Sequence, residues 1–298
     1  MRWQGGRESE NVEDRRGGGG FSMGGPLGGR GIPIGRGGLG IGGLAVVVVV
    51  SLLLGINPMD LLNGTVPVEQ SRYEQSQAPR SNADDELGRF VSVVLADTED
   101  TWNALFQQAG RNYQEPTLVL FSGAVDSGCG FAQAAMGPFY CPLDQKLYID
   151  LSFYRDLRDR FRAPGDFAQA YVIAHEVGHH VQNLLGISDR VQQAQQRAGN
   201  RAEANALSVR LELQADCLAG LWANHANRER QIIEPGDVEE ALTAASAIGD
   251  DRLQKQSRGT VAPDSFTHGS SAQRVRWFRT GLESGQMQAC DTFSADRL

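Results

Sequence analysis

Residues 170–186 read AYVIAHEVGHHVQNLLG and place three histidines and a glutamate within six consecutive positions. The segment follows PGD (164–166), which reads as a helix start with Asp166 as N-cap, and it stops at Gly186. Phe167, Ala170, Tyr171, Ala174, Val181 and Leu184 form one apolar stripe. His175 and His179 sit one position along from that stripe, four residues apart. That spacing is slightly more than one turn, so both imidazoles project from one face with a rise of about 6 Å between them. Two rings so placed can bind one ion. The segment reads H-E-x-x-H, with Glu176 turned to the side where a metal-bound water could be deprotonated. An ordinary helix with solvated histidines is the alternative, because so short a pattern arises by chance. His180 is off the metal face and is expected to be a surface or hydrogen-bonding histidine.

A tetrahedral catalytic zinc needs a third protein ligand and an open fourth position. The metzincin continuation requires glycine at 182 and histidine at 185, where this chain has Gln182 and Leu185, so that class is excluded. Downstream, SVRLELQADCLAGLWA (208–223) reads as a second long helix, with Ser208, Leu211, Ala215, Leu218 and Trp222 as its buried stripe. Glu212 and Asp216 lie beside that stripe at i and i+4, where a lone carboxylate would be costly to desolvate. The economical reading is that Glu212 completes the metal set. Asp216 then accepts a hydrogen bond from the free nitrogen of a ligand histidine, fixing its tautomer. Asp216 as the ligand, or a solvated helix face paired to Arg210, are the alternatives.

The flanking chain bounds what such a site belongs to. Of the first 43 residues, 17 are glycine, a composition that cannot offset its ordering entropy, so residues 1–36 are expected to be a disordered Gly/Arg-rich cytoplasmic tail. Within it GRGGLG (35–40) matches a dinucleotide-binding pattern, but no strand precedes it and no amphipathic helix follows. Residues 37–59, GGLGIGGLAVVVVVSLLLGINPM, carry no charge and are expected to form one transmembrane anchor. A cleavable signal peptide is the rival, opposed by the late start of the apolar run and the lack of a small-x-small site after it. Residues 60–83 read as a flexible polar tether. Six arginines precede the anchor and favour a cytoplasmic tail, with the remainder extracytoplasmic, periplasmic or extracellular. That remainder has a net charge of about −10, which argues against nucleic acid as a partner.

All four cysteines (Cys129, Cys141, Cys217, Cys290) lie beyond the anchor. CGFAQAAMGPFYC suits a Cys129–Cys141 bridge around a Gly-Pro turn, which leaves Cys217 and Cys290 as a second pair. Zinc binding by scattered cysteines and unpaired buried thiols are the alternatives. Residues 84–298 are expected to form a single domain. A helix carries Leu87, Phe90, Val94, Leu95, Trp102, Leu105 and Phe106 and ends at Gly110. PTLVLFSGAV and FYCPLDQKLYIDLSFY read as strands, the second broken near Asp144, and the rest as helices. The fold class is therefore α+β, mostly helical with a small sheet.

H-E-x-x-H followed by E-x-x-x-D on a later helix resembles the gluzincin arrangement of thermolysin-like metallopeptidases. More closely, VLADTEDTW, GPFYCPLDQKLYID, AHEVGHHVQ, ELQADCLAGLWA and THGSSAQRVRWF resemble the bacterial putative neutral zinc metallopeptidase family, over nearly the whole chain. The resemblance implies one Zn²⁺ per chain on His175, His179 and Glu212, with Glu176 as general base. It also implies a zincin-like fold in which the strand around 146–151 lines the cleft.

His268, ahead of a helix starting near Ser270, is a candidate donor to the oxyanion of peptide hydrolysis, ahead of Arg274. Membrane-bound gluzincins have a similar His-then-Arg segment, usually with proline where this chain has Gly269. A structural role for His268 is the alternative. The expected protein is a membrane-anchored zinc endopeptidase acting on peptide or protein substrates. The rival is a non-catalytic, zinc-stabilised, membrane-tethered binding protein.

Overall fold

A computed structural model describes residues 1–16 and 82–298, which belong to one compact unit. The expected anchor at 37–59 and most of the expected tether lie outside the described residues. Among the described residues no helix is long and apolar enough to cross a membrane.

Helix α1 (Asn82–Gln108) buries Phe90, Val91, Val94, Leu95, Trp102 and Phe106, and the chain reverses at Gly110 with φ +69°. The strands that follow explain themselves through burial on both faces. In β2 (Thr117–Phe121) and β6 (Lys146–Asp150) every residue after the first is buried, the continuous apolar run of a strand covered on both sides. Leu118, Leu120, Leu147 and Ile149 face the main core, while Val119, Phe121 and Tyr148 face a smaller second cluster with Val125, Ala132 and Cys141. The sheet order is β1-β2-β6-β5, where β1 is Val12–Asp14 and β5 is Phe139–Cys141. The β1–β2 and β2–β6 pairs are parallel, and β5 closes on β6 antiparallel. A separate hairpin, β3 (Ala124–Ser127) with β4 (Gly130–Gln133), supplies Val125 and Ala132 to the second cluster. The strand expected over 116–125 is split into β2 and β3, and β1 and β4 were not read as strands in the sequence.

The helices are α2 (Ser152–Asp159), α3 (Asp166–Leu184), α4 (Ile187–Arg197), α5 (Arg201–Arg230), α6 (Asp237–Ala247), α7 (Asp250–Arg258) and α8 (Ser271–Ser284). The expected one-sided stripe of α5 is too narrow. Every residue from Leu213 to Ala223 is buried, whereas Ser208 and Leu211 are only partly so. The reason is a close crossing with α8 at Gly220 and Gly281. A Cβ at Gly220 would strike the Phe278 carbonyl, and one at Gly281 the Cys217 carbonyl. Asp166 is the first residue of α3 rather than its cap, and its carboxylate accepts from the Met1 amine at 2.6 Å.

Both disulfides, Cys129–Cys141 and Cys217–Cys290, are present. The first ties the β3–β4 hairpin to β5, and the second ties α5 to the C-terminal residues. Cys129 is exposed, whereas Cys217 and Cys290 are buried.

The expectation of a disordered cytoplasmic tail over 1–36 is corrected for residues 1–16. Met1 and Trp3 are buried, and Trp3 packs edge-on against Phe90 with ring centroids 5.4 Å apart. Glu99, 1 % exposed, accepts from Arg7 (2.9 Å), Ser9 (2.5 Å) and Asn11 (2.9 Å). Composition misled because most of the glycines lie after residue 16, while Arg7, Ser9 and Asn11 before it converge on Glu99 of α1. The β1–β2 ladder joins residues 1–16 to the body formed by 82–298.

Trp3→Ala should lower unfolding free energy by about 3 kcal/mol, read from urea denaturation followed by far-UV circular dichroism. A loss under about 0.5 kcal/mol, the usual range for a surface position, would show that the segment is not docked. Mild dithiol treatment should open Cys129–Cys141 before Cys217–Cys290, because thiol attack requires access; mass spectrometry after alkylation orders the two.

Candidate metal centre

Helix α3 carries His175 and His179 on adjacent turns, with ring centroids 4.8 Å apart, and α5 lies across it carrying Glu212 and Asp216. His175 Nε2 is 3.2 Å from Glu212 Oε2, and His179 Nε2 is 3.5 Å from Glu212 Oε1. Ligands 2.0–2.2 Å from a tetrahedral ion stand roughly 3.3 Å from one another by simple geometry, so these donors have the spacing of a metal set. The three residues are brought together as the sequence spacing suggested, and the cluster contains no fourth protein ligand among the described residues.

The far side of each ring decides which nitrogen is free. His175 Nδ1 is 2.8 Å from Asp216 Oδ1, a carboxylate that only accepts, so Nδ1 bears a proton and Nε2 is the nitrogen a metal ion could take. His179 Nδ1 is 2.9 Å from Gln182 Oε1. The amide orientation follows from its other contacts, since Gln182 Nε2 donates to the Leu211 carbonyl at 2.7 Å and to Gln214 Oε1 at 3.1 Å. Both imidazoles therefore present Nε2 toward Glu212. Gln182 had registered in the sequence only as the residue that excludes the metzincin pattern. Its place one turn beyond His179 was the available signal.

Asp216 is fully buried and faces away from the Nε2 side, which disposes of the alternative in which it is the ligand. Its Oδ2 accepts from Arg274 Nε at 2.8 Å, and its Oδ1 accepts from Arg274 Nη2 at 2.8 Å and Tyr171 Oη at 2.5 Å. Burial would raise the Asp216 pKa, but Arg274 and His175 outweigh it and bring it down to about 2. Burial would lower that of His175, yet Asp216 and Glu212 outweigh it and hold it up, at about 10. Glu212 is likewise held well below the carboxylate range, against its burial, by His179 and His175. Arg274 neutralises Asp216 behind the ring, which leaves Glu212 as the carboxylate on the Nε2 side, where a divalent cation could take the place of the imidazole protons. Arg210 donates to the Thr292 and Ala295 carbonyls and has no part in the pair of acids.

A cleft of about 590 Å³ opens on the Nε2 side, with Glu176 and His268 in its wall beside His175, His179 and Glu212. Apolar side chains from Met136, Phe139, Phe153, Phe161, Val172 and Leu253 line the rest. His268 is half-exposed, and its Nδ1 lies 3.3 Å from Asp250 Oδ1. Asp250 Oδ2 accepts the backbone N–H groups of Thr267, His268 and Gly269 at 2.7, 2.7 and 3.1 Å, which fixes the loop that carries the ring. The hydrogen bond that His268 donates to Asp250 raises its pKa against partial burial, helped by the charge of Glu212. Arg274, the weaker sequence candidate for an oxyanion donor, is spent on Asp216. The strand expected to line the cleft was 146–151, but β6 lies one strand in, and β5 with its flanks Pro138 and Pro142 borders the cleft instead. A second acidic cluster, Asp166, Asp237 and Glu240, surrounds the Met1 amine, which supplies its positive charge.

Two imidazoles and a carboxylate thus meet on crossing helices, with a glutamate beside them in an open cleft, a donor set that could hold a metal ion. The chain belongs to the family described as "Putative neutral zinc metallopeptidase", whose model matches residues 1–293. It is 55 % identical over 294 residues to "Uncharacterized protein YpfJ" of Escherichia coli strain K12, covering 98 % of this chain and 99 % of that protein. "Uncharacterized protein Mb2605" of Mycobacterium bovis is 43 % identical over 262 residues, covering 83 % of this chain and 86 % of that one. No solved structure matches the chain.

Asp216→Asn should weaken zinc affinity about 10- to 100-fold, the usual effect of disturbing a residue that orients a ligand histidine. Competition against a chromophoric chelator measures it.

Proposed function

We propose that the protein is a zinc-dependent endopeptidase with Glu176 as general base, in a zincin-like arrangement of active-site helix beneath an edge strand. The observation that carries this reading is the meeting of the two Nε2 atoms and Glu212 in a cleft that also holds Glu176. Zinc fits this donor set by type and spacing, with His175, His179 and Glu212 as ligands and Asp216 and Gln182 holding the rings. When bound, zinc supplies Lewis acidity, which lowers the pKa of water toward about 7 and polarises a carbonyl.

Glu176 takes the proton of the attacking water and returns it to the leaving amine. His268, aimed by Asp250 and facing the cleft, donates to the oxyanion. The cleft's length of apolar wall suits an extended peptide segment rather than a small polar substrate. A three-ligand cluster with a glutamate beside it tells against a purely structural zinc, which takes four protein ligands and needs no base.

The two disulfides support an oxidising, extracytoplasmic location. The uncharged residues 37–59 support membrane contact. Any such contact returns the chain to the side it left, because residues 1–16 and 82–298 fold together.

The full chain, including residues 1–16, is the right material for the central test. Glu176→Gln should keep one zinc per chain and lower kcat on quenched fluorogenic casein by about 10³-fold, within the range of general-base contributions. Retained turnover in a clean preparation would end the mechanism. Zinc should also raise the Tm of the chelator-stripped wild type, since binding to the folded state alone stabilises it. For sidedness, single introduced cysteines at Arg2 and at Arg258 should react with an impermeant maleimide from the same face of sealed vesicles.

A further inference from the structure

His180, the third histidine of the opening segment, has no place in the metal set, and it is fully buried. Its Nε2 lies 2.6 Å from the Gln114 carbonyl, an acceptor, so Nε2 carries the proton. Nδ1 is then an acceptor, and at 3.0 Å from it the Tyr140 hydroxyl must donate. The Tyr140 oxygen in turn accepts from Asn183 Nδ2 at 3.1 Å. Tyr113 and Tyr140 pack edge-on against the ring at 5.7 and 5.4 Å. Every polar atom of the ring is spoken for, in one direction only.

The far end of this chain of bonds is what makes it functional. Tyr140 is the middle residue of β5, whose one edge pairs with β6 through Tyr140↔Leu147 and whose other edge has no strand partner among the described residues. Tyr140 lines the same cleft as His175, Glu176 and His179. A free strand edge is where an extended peptide pairs by main-chain hydrogen bonds. The ladder to β6 fixes β5 within the sheet, but it does not fix the sheet edge against α3. His180 and Asn183, on α3 itself, do that through Tyr140.

We propose that His180 is a positioning residue that holds the β5 edge at a set height over the catalytic helix, with the Tyr140 hydroxyl as its handle. This inference rests on the peptidase reading for its kinetic consequences. It also separates two cleft residues of similar appearance. The Tyr140 proton is committed to His180 Nδ1, which leaves oxyanion donation to His268.

The test uses the full chain with quenched fluorogenic casein, as wild type, Tyr140→Phe, His180→Phe and the double variant. Each single variant should raise KM about tenfold and change kcat less than about threefold, and the double should match the singles, since residues acting through one shared bond are not additive. His180→Asn, which offers an amide oxygen close to where Nδ1 lies, should restore most of the KM. A fall in kcat of about 100-fold or more in Tyr140→Phe with KM unchanged would make Tyr140 the oxyanion donor and overturn the inference. Additive effects would also overturn it. If His180→Phe does not fold, Tyr140→Phe is near-isosteric and decides alone, an unchanged KM counting against the proposal. Long-range ¹H–¹⁵N spectra of wild type should show His180 as the Nε2–H tautomer, lost to averaging in Tyr140→Phe if the bond holds the ring. The opposite tautomer overturns the inference. That readout does not need activity, so an inert wild type would refute the peptidase reading and leave the positioning role to be judged on the spectra.

Discussion

The carboxylate of Asp216 is the constraint on which the rest of the centre depends. It sits at 0 % exposure on a helix buried on all sides and accepts from Arg274, Tyr171 and His175 at once. An uncompensated charge there would be costly, and Arg274 supplies the opposite charge from α8. Three helices meet through this one group. The orientation of His175 is therefore set by the packing of α8 on α5, which Gly220 and Gly281 allow to be close. Arg274 balances Asp216 behind His175, which leaves Glu212 to face the two imidazoles on the cleft side. The same network that stabilises the helix junction thus prepares the site for a cation.

Each ligand histidine is held by a different kind of acceptor. His175 has a charged partner and His179 a neutral amide, itself anchored on Leu211 and Gln214 of α5. The Gln182 amide and the Asp216 carboxylate both tie α3 to α5, so the spacing of the three donors is a property of the helix crossing rather than of any loop. By contrast, Glu176 and His268 face the open cleft, one on the rigid helix and one on a loop organised by Asp250. In the proposed reaction, a base on a rigid helix and a donor on a loop would fix the proton transfer while leaving the cleft wall adaptable.

Residues 1–16 change how the whole chain is understood. They add β1 to one edge of the sheet, while β5 forms the other edge, at the cleft. The N-terminal segment also brings the two flanks of residues 17–81 to one folded body, which constrains any arrangement with a membrane more strongly than arginine counting does.

The sequence by itself determined the local geometry. Helical period alone placed His175, Glu176 and His179 relative to one another, and Glu212 relative to Asp216, because i and i+4 positions of a helix are fixed by its backbone. The Cys129–Cys141 spacing and the fold class were legible for similar reasons, being short-range or compositional. What only the tertiary structure decided were pairings between residues distant in sequence: Asp216 with Arg274, Asp250 with His268, His180 with Tyr140, and Glu99 with the N-terminal segment. None of these has a period to read. Each depends on which helix faces cross and which strand ends at a sheet edge, and polar residues such as Gln182 or Ser9 look like solvated surface until the partner that buries them is in place.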